Sequence, residues 1–462
     1  YAVDGGQRHG ALTYWMMDTL SSSTSVLTYQ SLYGRVKGMI QSKFPQQLPM
    51  LMGSGDRIVF GDRRKYKPYT VTVGKVTETE VTLDAGLAQG LSYGTRFAIY
   101  PFDCENLTDR TQQIAIVELT DEIQADSATA MILDTAAGGI EIRGEIQSGA
   151  SAVMVAAPID LIRKVHLFGE KQAGEKEQDL PAELVDRQSA ALAKISQALS
   201  GNGWVIEAQS GESSHFQVAI ARDGTYEICI GMPISNLRPA LSIDDPQAPH
   251  KVVERLVHLT KYQSVQALDN PASELSDHLE FQLCDRQKQP FPDPQNVTLK
   301  PGEVSYLKIK NNYNQILNVA VLDIEPTWEV SQIPIQGDFS SFFPLDPGKE
   351  AYTKLRLRLP DNYKQAKETL KIFATKGLAN FQWLILPSLD EQPQPKGNLN
   401  RSMQEKAEEV TRGGATAISP LNNLLTAIGN DLDNPPEKTR AMDYEPDPEA
   451  EWATKEINIT VQ

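Results

Sequence analysis

Apolar and polar side chains alternate with period two through long parts of this sequence, and that alternation restricts the fold more than any other feature. It runs through "YTVTVGKVTETEVTLDAG", "GTRFAIYPF", "QIAIVELTDEI" and "SATAMIL" before residue 160, and through "VSYLKIKN", "ILNVAVLDI", "AYTKLRLRLP" and "TLKIFATKG" after residue 286. A period of two puts every second side chain on one face of an extended strand, so each run must bury one face against another layer. Glycine, proline and asparagine between the runs supply the turns. The spacing predicts a small all-β domain over 65–160 and a β-sandwich-like domain over 286–389. "KPGE" and "DPGK" read as hairpin turns within the second.

Elsewhere the apolar period becomes helical. In "ALTYWMMDTL", Leu12, Trp15, Met16 and Leu20 share one helix face. In "LTYQSLYGRVKGMIQSKF", Thr28 is expected to cap a second helix whose Leu32, Val36, Met39 and Ile40 face a core. Ile58, Val59 and Phe60 read as a short buried strand closing the first unit near residue 64. Helices are expected over 181–200, with Leu184, Leu192, Ile195 and Leu199 inward, and over 249–268, with Val252, Leu256 and Leu259 inward. The strand-like runs "GWVIEAQ", "HFQVAIA" and "TYEICIG" lie between them, which makes 161–285 an α+β domain. Residues 390–440, rich in Gln, Pro, Asn, Gly and charge, read as a flexible linker with one short helix at "PLNNLLTAIG". "EWATKEINITVQ" closes the chain as a C-terminal strand within 441–462.

Charge and cysteine usage narrow the function classes. With 60 acidic and 44 basic residues the net charge is -16, which repels phosphate backbones and anionic lipid, so nucleic acid is not expected as a partner. The longest apolar runs, such as "ASAVMVAAPI", fall well short of the roughly 20 residues that span a bilayer, so no membrane partner is expected. Cys104, Cys229 and Cys284 are too few and too dispersed for a disulfide framework or a zinc site, and a reducing, cytoplasmic compartment fits them. There is no glycine-rich phosphate loop, EF-hand loop or HExxH. Residue 1 is Tyr, and the opening residues read as the inside of a structural element, so the chain is expected to be a fragment or a proteolytic product.

The first 64 residues carry a family resemblance. "YAVDGGQRHGALTYWMMDTL" followed by "LTYQSLYGRVKGMIQSKFPQQLPMLMGSGDRIVFG" presents, in order, an acidic-Gly stretch, a His-Gly pair and a Thr-Tyr helix. A second helix, a Gln-x-Pro segment and a closing Phe-Gly follow. This order resembles the small-subunit half of the caspase-like cysteine peptidases, in particular the orthocaspases and metacaspase relatives of cyanobacteria. The rest of the chain resembles the β-rich extension that follows the peptidase core in such proteins. The fold expected from the resemblance is an α/β caspase-hemoglobinase-like small-subunit segment over 1–64, followed by mostly-β and α+β accessory domains.

The resemblance also shapes the site residues. In the family the catalytic His and Cys belong to the large-subunit half, and the Cys stands in an Asp-x-Cys-x-Ser-Gly-like context. "PFDCENL", "YEICIGM" and "FQLCDRQ" do not match it, so no catalytic residue is expected in this chain and the three thiols read as small buried side chains. His9 matches the motif leading into the Thr13-Tyr14 helix rather than the family's catalytic histidine. Asp4, and less directly Asp18, are the acidic candidates for a pocket that holds a substrate Arg or Lys, since a buried carboxylate makes a bidentate contact to guanidinium. A turn carboxylate at Asp4 and a solvated helix face at Asp18 are the competing readings. His258 and Tyr262, one turn apart, read either as a ligand pocket or as a satisfied helix face. Arg401 and Arg412 in the linker are candidate cleavage sites.

The function implied by the resemblance is that of the small-subunit and C-terminal regulatory portion of a cysteine endopeptidase cleaving after Arg or Lys. Its partners would be a companion large subunit from the same precursor, carrying the His and Cys, and protein or peptide substrates with basic residues. No cofactor is evident in the residues; calcium enters only because many metacaspases use it. The competing expectation is a regulatory, ligand-binding or partner-binding portion of a catalytically inactive homologue.

Overall fold

The computed structural model is a mixed α/β protein, rich in strands and built on several sheets, one of them closed into a six-stranded barrel. It describes residues 2–389 and 448–462, apart from 64–69, 134–144, 158–160 and 169–181 and the shorter stretches 5–6, 24–25, 45–46, 48, 52–54, 62, 105, 108, 201, 222, 271–272, 339 and 361–362. The expected linker, with its helix at 420–429 and with Arg401 and Arg412, lies outside the described residues.

The chain opens with a hairpin, β1 (Ala2–Asp4) and β2 (Gln7–His9), and two helices, α1 (Ala11–Ser22) and α2 (Tyr29–Lys43). Thr28 caps α2 by accepting a hydrogen bond from the Ser31 N–H at 3.2 Å, satisfying one of the donors a helix start leaves open. Ala11 and Trp15 of α1 pack on Leu32, Val36 and Ile40 of α2. Leu12 points the other way and is exposed. Ile58–Phe60 differ from the expected buried strand. Ile58 makes one bridge to Thr28, the chain turns back through a Gly61 N–H to Ile58 carbonyl bond, and Phe60, at positive φ, is 84% exposed.

The barrel is formed by β3 (Val71–Val76), β4 (Glu80–Leu83), β5 (Arg96–Tyr100), β6 (Ala115–Ile123), β7 (Ala128–Ile132) and β8 (Ser151–Ala156), in the order β3-β4-β7-β6-β5-β8. Inward residues alternate along each strand as the sequence period requires: Val71 and Val73, Val81 and Leu83, Phe97 and Ile99, Val117 and Leu119. Ala128, Ala130 and Ala152 leave room for these larger side chains, so the interior is filled and not a channel.

The α+β part joins β9 (Arg163–Leu167), α3 (Ala182–Leu199), β10 (Val205–Glu207), β11 (Phe216–Ile220), β12 (Thr225–Ile230), β13 (Met232–Pro233), β14 (Leu241–Ser242) and α4 (Ala248–Ala267). β9 runs parallel to both β10 and β11, an arrangement that needs a crossover, which α3 supplies between β9 and β10. Ile195 and Leu199 of α3 and Val252, Leu256 and Leu259 of α4 are buried in one cluster with Val165, Phe216, Val218 and Ile228 of the sheet. The expected inward faces of both helices are therefore the observed ones, apart from Leu184, whose side chain is outside the description.

The sandwich begins earlier than residue 286. A short helix, α5 (Leu275–His278), leads into β15 (Leu279–Cys284), which pairs with β17 (Val304–Asn311) and through it with β21 (Glu350–Arg356). The facing sheet holds β16 (Asn296–Leu299), β18 (Leu317–Ile324), β19 (Val330–Ile333), β20 (Phe343–Leu345), β22 (Ala366–Thr375) and β23 (Trp452–Val461). The C-terminal strand β23 lies inside this sheet, parallel to β16 and antiparallel to β22 over its whole length. "FQWLILPSL" is not a strand: Gln382–Leu384 form a single 3-10 turn, and Phe381 and Leu384 cover the outer face of the sheet beside Phe373 and Trp452. Among the described residues no helix is long and apolar enough to cross a membrane.

Candidate functional site

The two N-terminal helices are fastened to the barrel through α2. One side of α2 packs on α1; another bears Gly34, Arg35, Lys37 and Gly38 and meets the barrel. Gly38 allows the closest approach: a Cβ there would stand 2.5 Å from the Gly149 nitrogen and 3.0 Å from the Val73 carbonyl oxygen. Gly149 itself sits at φ +86, where an L side chain is strained. Two glycines thus let helix and barrel backbones touch.

That contact buries charge. Lys37 keeps 5% of its side chain exposed and donates to both oxygens of Asp84, just beyond β4, at 2.7 and 2.6 Å. Burial alone would lower the Lys37 ammonium, but the Asp84 carboxylate outweighs it and holds the lysine above its ordinary value. Burial in turn pushes the Asp84 carboxyl up against the pull of Lys37. The Tyr33 phenol, also raised by burial, donates to the Pro49 carbonyl at 3.0 Å. Arg35 donates to the Ser148 carbonyl and to Gln147 Oε1 at 3.0 Å, and its guanidinium lies 4.9 Å from the centre of the Phe102 ring. Burial lowers Arg35, partly offset by Asp18 and Asp103.

Chemically this junction is a clamp. The cleft beside Lys37 and Asp84 holds about 50 Å³, room for a few waters and not for a peptide. A lysine held protonated in a chelated ion pair is not available as a base or nucleophile.

The residues expected from the sequence fall as follows. Asp4 ends β1 opposite Gln7 of β2, and its side chain is outside the description. Asp18 lies on the exposed side of α1, where its charge acts on Arg35 of the same chain. His9, at the end of β2, is exposed, with its ring 6.1 Å from that of Tyr14. Cys104 is buried and donates to Gln112 Oε1 at 3.1 Å. Cys229 on β12 and Cys284 on β15 are buried, and burial pushes both thiols up, away from the thiolate that a nucleophile requires. His258 and Tyr262 project from α4 onto the sandwich: His258 Nε2 is 2.8 Å from the Trp328 carbonyl, and the Tyr262 hydroxyl donates to the Glu325 carbonyl at 2.8 Å. Burial lowers the His258 imidazole and raises the Tyr262 phenol to about 12. Among the described residues no group of three His, Cys, Asp or Glu is placed to hold a metal ion, and calcium keeps no support beyond the resemblance.

The sequence reading missed the clamp. Lys37 reads as one of several polar positions on an amphipathic helix, and Asp84 as an ordinary turn residue in "LDAG". Gly38, in the interior of an amphipathic helix, was the available sign of a close backbone approach. Compared with known proteins, the sequence matches no family model and no curated protein.

Proposed function

We propose that this chain is the small-subunit and C-terminal regulatory portion of a caspase-like cysteine endopeptidase that cleaves after Arg or Lys, in the cytoplasm, with the catalytic His and Cys on a companion large subunit. The observation that carries the reading is the ordered set of motifs over residues 1–64, joined to a buried clamp that fixes the second helix of that set to the accessory barrel. The chain's three thiols are buried, and burial raises those of Cys229 and Cys284, which fits a division of labour in which the nucleophile is elsewhere. In that complex the chemistry would be acyl transfer: thiolate attack on the scissile carbonyl, a thioester, then hydrolysis, with backbone N–H groups holding the oxyanion. This chain would contribute one wall of the cleft. Its accessory domains would act on that wall through α2, since Lys37 and Arg35 tie α2 to the barrel.

The competing reading, a regulatory portion of a catalytically inactive homologue, is favoured by the extent of the accessory domains relative to the motif-bearing segment. Intact-mass measurement and N-terminal sequencing of the complex purified from its source distinguish the two. A second chain carrying a Cys in an Asp-x-Cys-x-Ser-Gly-like context, together with hydrolysis of a fluorogenic Arg substrate, supports the peptidase. A companion chain with Tyr or Ser at that position, and no hydrolysis, overturns it in favour of the inactive homologue.

A further inference from the structure

A second cavity has a lining that asks for a ligand. It opens where the barrel, the C-terminal half of α4 and the 3-10 turn at Gln382–Leu384 meet, and it encloses about 490 Å³. Pockets of roughly 300–1,000 Å³ hold drug-sized molecules. The walls are mainly apolar and include Met154, Leu161, Trp204, Leu268, Trp383 and Leu386.

One cation stands among them. Lys261 on α4 lines the cavity, with its Nζ 4.8 Å from the centre of the Trp204 ring. Among the described residues that ring is the only partner its ammonium has. Burial lowers it, with no carboxylate acting in the opposite direction. The other polar side chains of the lining are largely engaged within the protein. Gln89 Oε1 accepts from the Gly86 N–H, Ser264 donates to the Lys261 carbonyl, Gln382 donates to Gln332, and Asp269 accepts from the Asn270 N–H and from Thr454. A cation–π contact offsets only part of the cost of desolvating an ammonium. Lys261 is therefore held at a net cost that an incoming anion would remove.

We propose that this cavity binds a small amphipathic monoanion, an apolar or aromatic body bearing one carboxylate or sulfonate, with the anionic group on Lys261 Nζ and the body between Trp204 and Trp383. The apolar walls exclude a strongly hydrated ligand such as a sugar or a nucleotide phosphate. A single cation balances a single negative charge, and Asp269 in the same lining repels a second. The inference does not depend on the proposed peptidase partnership.

The test uses two matched fluorescent probes on the full chain: 8-anilinonaphthalene-1-sulfonate, an aromatic monoanion, and its neutral counterpart N-phenyl-1-naphthylamine. The wild type is expected to bind the sulfonate at one saturable site. Lys261→Met keeps the side-chain length and removes the charge; it should weaken sulfonate binding about tenfold or more while changing the neutral probe's affinity by less than about threefold. Met154→Trp fills the cavity and should abolish both. Absence of a saturable site, equal effects of Lys261→Met on the two probes, or persistence of both in Met154→Trp would overturn the proposal. Each variant is first shown to unfold cooperatively, and Lys261→Gln replaces Lys261→Met in the same comparison should the latter fail to fold.

Discussion

Asp323 on β18 and Glu368 on β22 present two carboxyl groups to the same interior of the sandwich, and each keeps one oxygen buried without a hydrogen-bond partner. Asp323 pairs with Leu370, so Glu368, two residues before Leu370, lies on the same face as a diagonal neighbour. The unpartnered atoms are Asp323 Oδ1 and Glu368 Oε2. Burial raises Glu368 to about 7 from its ordinary 4.5, and burial and then Glu368 raise Asp323 well above the carboxylate range.

The stability of the sandwich should therefore fall as pH rises. Because the folded state binds the Glu368 proton more tightly than the unfolded state, its contribution is fully present below 4.5 and is lost as pH rises towards about 7. A shift of this size corresponds to about 3 kcal/mol above neutrality. Glu368→Gln should raise unfolding stability by up to that amount at alkaline pH and leave it nearly unchanged at low pH. Denaturant titrations at the two pH extremes check this, and equal gains at both would contradict it.

The Lys37–Asp84 clamp should be far more costly to break singly than to replace as a pair. Lys37→Met or Asp84→Asn leaves a buried partner without compensation, a loss of about 3–5 kcal/mol. The double substitution to apolar side chains should recover most of that loss. A double-mutant cycle in guanidinium measures the coupling, and additive single effects would show that the pair is not a clamp.

Helix α2 should tolerate a methyl group at Gly34 and reject one at Gly38. At Gly34 the nearest atom to an added Cβ is the Thr72 hydroxyl at 3.4 Å, an ordinary contact; at Gly38 it is backbone at 2.5 Å, which cannot move aside. Gly34→Ala is expected to stay within about 1 kcal/mol of wild type, helped by alanine's helix propensity. Gly38→Ala should lose about 3 kcal/mol or more as the helix lifts from the barrel. Thermal unfolding of the two variants side by side tests the difference.

The thiols should be inert in the folded chain. Cys229 and Cys284 are buried and pushed up by burial, and Cys104 is buried as well. Alkylation by iodoacetamide at neutral pH should be slow for all three and become rapid on denaturation. Rapid native-state labelling at one of them would reopen the question of a nucleophile in this chain.

Much of the fold was legible because periodicity is a local property. The α4 face of Val252, Leu256 and Leu259, and the inward Val71, Val73, Phe97 and Ile99, follow from spacing alone, since these side chains share a face whatever the partner layer is. Boundaries were less legible. "HLEFQLC" carries the same alternation whether it closes one domain or opens the next, and only its pairing with β17 assigns it to the sandwich. "FQWLILPSL" has strand-like composition, yet Gln382–Leu384 form a 3-10 turn over a sheet face and only Leu386 joins a ladder, as a single bridge to Val330 of β19.

The candidate site was least legible, for the same physical reason. His258 and Tyr262 are one turn apart in the sequence, and only the sandwich carbonyls beneath them show that their polar atoms are occupied. The sequence by itself determined that this chain forms strand-rich units with two amphipathic helices at its start and two more in its middle, because side-chain period fixes which face must be buried. That Lys37 meets Asp84 across 47 positions, that Lys261 stands in an apolar cavity, and that β23 lies inside a sheet begun far upstream were decided only by the tertiary structure. Burial and charge pairing depend on which faces meet, and spacing along a chain carries no information about that.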